Sequence, residues 1–458
     1  MRIKAGGRAA CAWCGMDSRL QAYAERPAPR YTSYPTAPHF NAGVGDAAVR
    51  QWLGALAPDA ALSLYVHVPY CRQLCWYCGC NTYAARRDAP VQSFVETLLR
   101  EADLVADALT ARRVVEIHWG GGTPNILSAA QFAEIAAKIR SRFDLAGLAH
   151  HAIELDPRYL DAGKARAYAA AGVNRVSLGV QDLNDRVQQA IGRVQPVAVV
   201  RAAIDTLRQA GVAEINMDLM YGLPHQSADD LRHSIRTAAA MRPNRIALFG
   251  YAHVPWFKKR QRLIPEAALP GPAERFDQAA AARNELEAFG YEAIGLDHFA
   301  LPGDALARAA RSGRLRRSFQ GYVIEQADAL IGFGPSAIST LPHGYAQNAA
   351  EPGAWARAIA AGKLAIVRGH ALSDEDRRRR RVIEQVMCDF DADLAPLGGA
   401  AALREELAAL APMRDDGLVA LEGDRLKVAP AAQAFCRLVA AAFDVYAQRS
   451  AARHSSAV

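Results

Sequence analysis

The chain has 458 residues, of which 51% are hydrophobic, and a formal charge of +7 at pH 7. Its length permits a sizeable core in one large domain with appendages or in two or three domains, and the scattered arginines behind the charge argue against a nucleic-acid-binding protein. Because no apolar run reaches the roughly 18 to 20 residues of a membrane-spanning helix and no secretory signal is recognisable, we expect a cytoplasmic protein without a membrane partner.

Two segments precede the first predicted strand. Residues 1–15 contain Cys11 and Cys14 and are predicted to be a disordered extension, with a redox or metal pair as the alternative. Residues 16–60 include "PRYTSYPTAPHF", which is rich in Pro, Tyr and Thr. This composition predicts an extended arm that lies over another surface rather than a helix.

Between residues 61 and 300, apolar β-rich runs alternate with amphipathic stretches. Strands are predicted at "ALSLYVHV", "VVEIHW", "HAIEL", "NRVSLGV", "AEINMDLM", "NRIALFGY" and "YEAIG". Helices are predicted at 91–109, 128–143, 157–171, after "DLND", at 229–241 and at 272–289. The alternation indicates an α/β fold with a full or partial (β/α) barrel, in which the chemistry lies at the carboxyl ends of the strands.

The rest of the chain is predicted to form two further parts. Residues 301–369 complete the barrel and contribute to a substrate pocket. Residues 370–458 form a mainly helical, winged-helix-like domain, with helices at 373–390, 400–410 and 430–449 and a hairpin at "GLVALEGDRLKVA". Arginines 377–381 follow three acidic residues at i,i+4 spacing, which predicts a solvated helix. No basic recognition helix stands out, so we expect a cap rather than a DNA-binding regulator.

Four of the eight cysteines crowd into "YCRQLCWYCGC", directly after the first predicted strand. This distribution is typical of a metal site in a reducing compartment, not of a disulfide framework. Cys71, Cys75 and Cys78 have the spacing C-x3-C-x2-C, whereas zinc usually takes two separated C-x2-C pairs. Three thiolates on one loop suit three corners of a cubane iron-sulfur cluster and leave one iron for another ligand. Cys80 is too close to Cys78 to reach a separate corner.

Glycines and carboxylates follow the later strands. Successive glycines in "HWGGGTP" let the backbone approach a ligand closely. Glu154 and Asp218 occur inside apolar strands, where an unpaired charge is costly, so we expect each to meet a polar ligand such as a ribose. Asp156 and Asp182 fit helix caps equally well.

The C-x3-C-x2-C loop after a strand, with Tyr77 before its last cysteine, resembles the signature of the radical S-adenosylmethionine superfamily. More narrowly, "RYTSYPTAPHF", "CWYCGCN", "HWGGGTP", "GVQD", "DLMYGLP", "YAHVP", "GLDHFALP", "FQGY" and "GFGPSAIS" are similar, in this order, to motifs of the oxygen-independent coproporphyrinogen III oxidase family. The resemblance covers the chain from about residue 20 to its end. It implies a barrel of the radical S-adenosylmethionine type.

The implied activity is the oxidative decarboxylation of two propionates of coproporphyrinogen III to vinyl groups, through a 5′-deoxyadenosyl radical. The product is protoporphyrinogen IX, in haem biosynthesis. The resemblance also implies an electron-donor protein and a monomeric enzyme. Arg30 is a candidate partner of a substrate propionate.

The resemblance further implies which residues bind the cofactors. Cys71, Cys75 and Cys78 would hold a [4Fe-4S] cluster. The residues implied for the S-adenosylmethionine on the open iron are Tyr65, Gly121, Glu154 and Ile338. The residues implied for a second S-adenosylmethionine are Tyr77, Gly122, Thr123, Gln181, Arg193, Asp218 and Ala252.

Two departures and two alternatives bear on this interpretation. Val323 and Ile324 stand where the family usually has two threonines, which bears on the position of the substrate. A haem-binding paralogue that acts as a haem chaperone is the main alternative, but that group typically lacks Cys80 and the "RYTSYPT" arm. A winged-helix regulator with an iron-sulfur sensor would leave the glycine turn and the strand-end carboxylates without a role.

His67 either tunes the cluster or is a core histidine, and Cys388 and Cys436 are predicted core residues.

Overall fold

The computed structural model describes residues 18–324 and 327–447. The predicted extension at 1–15, with Cys11 and Cys14, lies outside the described residues. No helix in the described part of the chain is both long and apolar enough to cross a bilayer.

The main sheet has twelve strands among the described residues. In chain order they are β1 Leu62–Val68, β2 Val114–Gly121, β3 His150–Leu155, β4 Arg175–Gln181, β5 Glu214–Tyr221, β6 Arg245–Gly250, β7 Glu292–Ile294, β8 His298–Ala300, β9 Ala329–Phe333, β10 Ile338–Leu341, β11 Gly344–Asn348 and β12 Ile366–Ala371.

The first six strands lie side by side in chain order and all pair in parallel. On one side, β9 pairs in parallel with β1, and β10, β11 and β12 extend the sheet in antiparallel fashion. On the other side, β8 and β7 add antiparallel to β6. Because this sheet ends at β12 and β7, the barrel takes the partial form of the two that the sequence predicts.

Helices cover the outside of the sheet and build the C-terminal part. They are α1 Ser18–Ala24, α2 Asp46–Gly54, α3 Ala89–Ala108, α4 Ala129–Arg142, α5 Ala162–Ala170, α6 Asp185–Ala190, α7 Val197–Gln209, α8 Ala228–Ala240, α9 Pro272–Ala288, α10 Ala305–Arg311, α11 Pro352–Ala360, α12 Asp374–Asp389, α13 Arg404–Ala409, α14 Ala411–Asp415 and α15 Cys436–Ala442.

Local capping explains where most of the crossover helices begin. Ser128 caps α4 and Ser227 caps α8, both close to the predicted helix starts. In each case the serine side chain accepts the N–H of the third helical residue, whose side chain in turn accepts the N–H of the serine. The predicted helix 157–171 is wrong at its start, because Asp156 caps a separate 3-10 turn and Asp161 then caps α5. The predicted helix after "DLND" is two helices, α6 and α7, separated by Gly192 with φ +64°.

The C-terminal part contains the predicted hairpin, with strands Val419–Glu422 and Arg425–Val428. A third strand, Asp391–Asp393, pairs with the second of these. The predicted helix 400–410 is wrong at its start, since a 3-10 turn at Ala400–Ala402 precedes α13, and a new helix begins at Ala411. The predicted helix 430–449 is present only in its middle, as α15. Its first six residues form a 3-10 helix, and the chain leaves α15 where the Asp444 carboxylate accepts the N–H groups of Tyr446 and Ala447.

The predicted arginine-rich helix is α12, in which Glu375 and Arg379 form one of the predicted i,i+4 pairs at 2.7 Å, while two other ion pairs have i,i+3 spacing. Arg377 pairs with Asp374 at 2.7 Å and Arg378 with Glu375 at 3.0 Å. The prediction of a fully solvated run is wrong for Arg379, whose side chain is only 11% exposed. This guanidinium donates to the Glu406 carboxylate at 2.9 Å and to the carbonyl oxygen of Phe443 at 3.1 Å, at the end of α15, which packs on α12.

The N-terminal arm packs on the C-terminal part, and its "PRYTSYPTAPHF" stretch has a 3-10 turn at Ala37–His39 but no α-helix. The Tyr23 hydroxyl donates to Asp416 at 2.7 Å, and the Tyr31 hydroxyl donates to Asp444 at 3.1 Å. The segment 16–60 as a whole is not only extended, because α1 and α2 flank the stretch.

A buried carboxylate joins α3 to the far side of the sheet. Glu101 is 2% exposed and accepts the N–H of Gly334 at 2.7 Å, the amide of Asn348 at 2.8 Å and the indole N–H of Trp355 at 3.0 Å. These bonds tie α3, β11 and α11 together, because each donor would otherwise be buried without an acceptor.

Replacing Glu101 by Ala should therefore lower the free energy of unfolding by about 3 kcal/mol, since three buried donors lose their acceptor. Chemical denaturation measures the loss. Glu96→Ala, on the exposed face of the same helix, is the matched control and should change it by less than about 0.5 kcal/mol. Equal effects of the two substitutions would contradict this role of Glu101.

Candidate active site

The cysteine loop begins directly after β1. Its two ends are held side by side, because Tyr70–Cys71 pairs in parallel with Tyr83–Ala84. Cys71 and Cys75 are buried, Cys78 is half-buried and Cys80 is exposed, and all four are free thiols. The carboxyl end of β1 thus presents the three predicted ligands on one short loop.

Two polar side chains point at the buried sulfur atoms. The Thr123 hydroxyl donates to Cys71 Sγ at 3.2 Å, and Arg193 Nη1 donates to Cys75 Sγ at 3.4 Å. Such donors stabilise thiolates, the ligand form of cysteine. Burial raises the pKa of the Cys71 thiol to about 11, so a metal is what would hold this sulfur as a thiolate.

The cysteine loop fits a cluster better than a single ion. No three His, Cys, Asp or Glu side chains of the described residues converge as ligands of one metal ion. A cubane has separate iron atoms, which suits spaced thiols. Cys80 is a neighbour of Cys78, and the hydrogen bond between the two thiols lowers the pKa of Cys78 to about 6.

Arg193 is held rigidly beside the loop. It pairs with Asp156 at 3.2 Å and donates to the carbonyl oxygen of Gly179 at 2.6 Å. Burial alone would lower the pKa of Arg193, but the neighbouring Tyr77 and Asp156 raise it above its ordinary value. A charged guanidinium therefore lies at the cysteine loop.

The glycine turn after β2 has no room for side chains. A Cβ on Gly120 would lie 2.9 Å from Glu154 Oε1, and one on Gly121, at φ +104°, would lie 2.7 Å from the His67 ring. A Cβ on Gly122 would lie 2.7 Å from a backbone oxygen. The close approach explains why three glycines occur in a row here.

The turn also binds the first carboxylate. Glu154 bonds to His118 Nε2 at 3.0 Å and accepts the N–H of Gly121 at 3.3 Å. Burial would raise the pKa of Glu154, but these two donors lower it, so the group is ionised at neutral pH. Its side chain remains 42% exposed, which leaves oxygen lone pairs accessible from the barrel interior.

Tyr65 lies close to this carboxylate through His118, because the Tyr65 and His118 rings stack with centroids 5.9 Å apart. In the sheet Tyr65 pairs with Gly332, where a Cβ would lie 2.9 Å from the carbonyl oxygen of Ile338. The contacts thus bring together Tyr65, Gly121 and Glu154, whereas Ile338 lies on β10, two strands along the sheet from β1.

The residues implied for the second S-adenosylmethionine form a neighbouring group. Gln261 Nε2 donates to the carbonyl oxygens of Tyr77, at 2.8 Å, and Ala252, at 3.1 Å. Gln181 has φ +66°, a left-handed conformation that non-glycine residues adopt uncommonly. Gly122 is the last residue of the glycine turn, and Thr123 follows it and donates to Cys71 Sγ.

Asp218 completes this group from β5. It pairs in register with Gly179, whose oxygen accepts Arg193, and it accepts the Ser177 hydroxyl at 2.8 Å and the Asn216 amide at 2.7 Å. Burial raises the pKa of Asp218 to about 6. A hydroxyl donor from a ligand would stabilise its charged form.

The remaining polar candidates have structural partners. Asp156 caps a 3-10 turn and orients Arg193, so it fulfils the cap alternative and also serves the site. Asp182 is fully buried and accepts the N–H of Asn184 and the amide of Gln226.

Burial lowers the pKa of His67, which contacts the Tyr65 hydroxyl at 3.1 Å.

The other cysteines and the two departures are accounted for separately. Cys388 and Cys436 are buried, as predicted for core residues. Ile324 packs against the cluster around Ile294 and Leu306. Val323, the last residue of a short strand at Gly321–Val323, lines a cavity of 810 Å³.

Two residues of the site were not among those predicted. His118 lies two residues before Gly120, on the same strand face, so strand alternation could have pointed to it. Gln261 ties Tyr77 to Ala252 from a 3-10 helix at Lys259–Leu263, and no spacing in the sequence signals this contact.

Comparison with known proteins places this geometry in a family. The radical SAM superfamily matches residues 65–238. The "Oxygen-independent coproporphyrinogen III oxidase" of Bradyrhizobium diazoefficiens is 47% identical over 442 residues, covering 95% of this chain and 98% of the relative. The Escherichia coli protein of the same name is 37% identical and covers 92% and 94%.

A solved structure agrees with these relatives. The Escherichia coli coproporphyrinogen III oxidase HemN, described as a radical SAM enzyme, superimposes with a TM-score of 0.87 at 36% identity. The match covers 91% of this chain and 97% of that one. The chain therefore belongs to the oxygen-independent coproporphyrinogen III oxidase family of radical SAM enzymes.

Proposed function

We propose that the protein catalyses the oxygen-independent oxidative decarboxylation of two propionates of coproporphyrinogen III, which gives protoporphyrinogen IX in haem biosynthesis. The observation that carries this proposal is the loop of three free thiols at the carboxyl end of β1, beside Glu154 and the glycine turn. Relatives of that activity's name align along almost the whole chain.

Cys71, Cys75 and Cys78 would hold a [4Fe-4S] cluster. When bound, the cluster and S-adenosylmethionine supply the radical chemistry that removes hydrogen from a propionate side chain. The polypeptide contributes binding and orientation. Arg193, charged and fixed by Asp156, is suited to a carboxylate, and the half-exposed Glu154 is suited to hydroxyl or ammonium donors.

We assign the cofactor residues to two groups. Tyr65, Gly121, Glu154 and Ile338 form the first group, for the S-adenosylmethionine at the cluster. The second group, for a second molecule, consists of Tyr77, Gly122, Thr123, Gln181, Arg193, Asp218 and Ala252. The contacts of Gln261 and of Asp218 described above support the second group, because they join residues from four separate loops and strands.

We also propose how the chain is divided. An arm at 16–60 and a cap at 370–458 would enclose a core at 61–300 with a pocket segment at 301–369. In support, one hydrophobic cluster joins Tyr23 and Tyr34 of the arm to Val382 and Phe435, separately from the main core.

Further partners follow from the chemistry. The reaction needs electrons from outside, and we propose that an electron-donor protein approaches the exposed side of the cysteine loop, near Cys80. Free thiols suit the reducing cytoplasm, and we expect a monomer there. The haem-chaperone alternative is disfavoured, because Cys80 is present and the arm packs through Tyr31 onto Asp444.

Alanine substitution of each cysteine tests the ligand set. Cys71→Ala, Cys75→Ala and Cys78→Ala should each lose most of the iron and acid-labile sulfide that anoxic reconstitution gives the wild type. Cys80→Ala, on the same loop, is the matched control and should keep both. Equal losses in Cys78→Ala and Cys80→Ala would contradict the assignment.

The reaction itself is tested with the reconstituted protein, S-adenosylmethionine, a reductant and coproporphyrinogen III under anoxic conditions. We expect protoporphyrinogen IX and one 5′-deoxyadenosine for each vinyl group, since each decarboxylation needs one hydrogen abstraction. Chromatography quantifies both products, with Cys75→Ala as the inactive control. Deoxyadenosine without a vinyl product would mean that the substrate is a different molecule.

A further inference from the structure

A cavity of 240 Å³ lies where three parts of the chain meet. Tyr221 and Gly250, at the carboxyl ends of β5 and β6, form one wall. Arg30 of the arm and Arg437 of α15 form others. Tyr221 lies three residues beyond Asp218 on the same strand, so the cavity adjoins the proposed cofactor groups.

The lining of this cavity is strongly cationic. It includes five arginines, Arg30, Arg275, Arg283, Arg317 and Arg437, and one carboxylate, Asp297. Arg283 pairs with Glu287 at 2.8 Å, on its own helix. The five arginines outnumber the one carboxylate of the lining, and a concave surface of one charge sign attracts ligands of the opposite sign.

The single carboxylate has close partners of its own. Asp297 lies 2.7 Å from His298 Nδ1. Burial opposes its ionisation, yet His298 and the charges of Arg317 and Arg30 lower the pKa of Asp297 to about 2. Burial, followed by the charge of Arg30, lowers the pKa of Arg437 to about 10.

Two side chains in the wall have unused hydrogen-bonding capacity. Arg317 Nη2 donates to the carbonyl oxygen of Arg30 at 3.3 Å, but its Nε and Nη1 are buried without a hydrogen-bond partner among the described residues. Both polar atoms of the Gln320 amide are in the same condition. Buried donors of this kind are costly unless a ligand accepts from them.

A second, larger cavity of 810 Å³ shares Arg317 and Gln320 but differs in charge. Its arginines are accompanied by four carboxylates, those of Glu116, Asp328, Glu384 and Asp389. Its lining is therefore close to balanced, and the smaller cavity is the one suited to an anion.

We propose that the smaller cavity binds carboxylate groups of the substrate, with Arg30 and Arg317 as anchors and Gln320 as an additional partner. This inference rests on the proposed function, in which the substrate is a tetracarboxylate. Arginine binds a carboxylate through two parallel N–H bonds. Because 240 Å³ is smaller than a pocket that encloses a whole ligand of this size, propionate side chains enter while the macrocycle stays outside.

Anoxic equilibrium binding of coproporphyrinogen III to the full-length reconstituted protein tests the proposal. Bound ligand is quantified by porphyrin fluorescence after oxidation. Arg30→Gln and Arg317→Gln should each weaken binding about tenfold, the usual value of a charge-assisted hydrogen bond. Binding of the uncharged tetramethyl ester should be the same in wild type and variants.

Arg26→Gln is the matched control, an exposed arginine of the same arm that does not line the cavity. It should bind both ligands like the wild type. Arg30 is exposed, so its substitution should leave the thermal midpoint unchanged, which keeps the test valid if Arg317→Gln folds poorly.

Two results would overturn the inference alone, provided that the wild type binds and converts coproporphyrinogen III. In one, the arginine variants keep full affinity for it. In the other, they lose affinity for the acid and the ester alike, which would mean a structural role. A wild type that neither binds nor converts coproporphyrinogen III would overturn the proposed function and this inference together.

Discussion

The site depends on holding three thiols on one side of a short, irregular loop. Backbone hydrogen bonds fix that loop at several points, since Tyr83 N–H donates to Pro69, Ala85 N–H to Cys71 and Trp76 N–H to Ile191. The underlying parallel sheet makes this possible, because its strands end together at one edge. A looser loop would let the thiols collapse onto a single ion or oxidise to disulfides.

Charged side chains of both signs lie at the same edge of the sheet. Both signs are needed, because S-adenosylmethionine carries positive and negative groups and the substrate is a polyanion. Glu154 and Asp218 face the barrel interior from β3 and β5, while Arg193 is held over the cysteine loop by Asp156. The carboxylates and the arginine-rich cavity occupy neighbouring regions. In the proposed function, binding of opposite charges would thus be divided between the strand ends and the surrounding arm and cap.

Much of this arrangement was predictable, for physical reasons that also mark the limits. Strand and helix periodicity predicted the barrel, and cysteine spacing predicted the cluster loop. Alanine-rich segments cannot distinguish a 3-10 turn from an α-helix by propensity, so residues 400–402 and 430–435 were wrongly predicted to be α-helical. The cationic cavity draws Arg30, Arg317 and Arg437 from distant positions, and no local pattern indicates that such residues meet.

Electron paramagnetic resonance of the reduced, anoxically reconstituted protein can show whether one iron of the cluster is open to the cofactor. We expect the signal of a [4Fe-4S] cluster that changes when S-adenosylmethionine is added, because the iron without a cysteine ligand binds the cofactor. A cluster signal that is indifferent to S-adenosylmethionine, or a protein that takes up zinc instead of iron, would contradict this expectation.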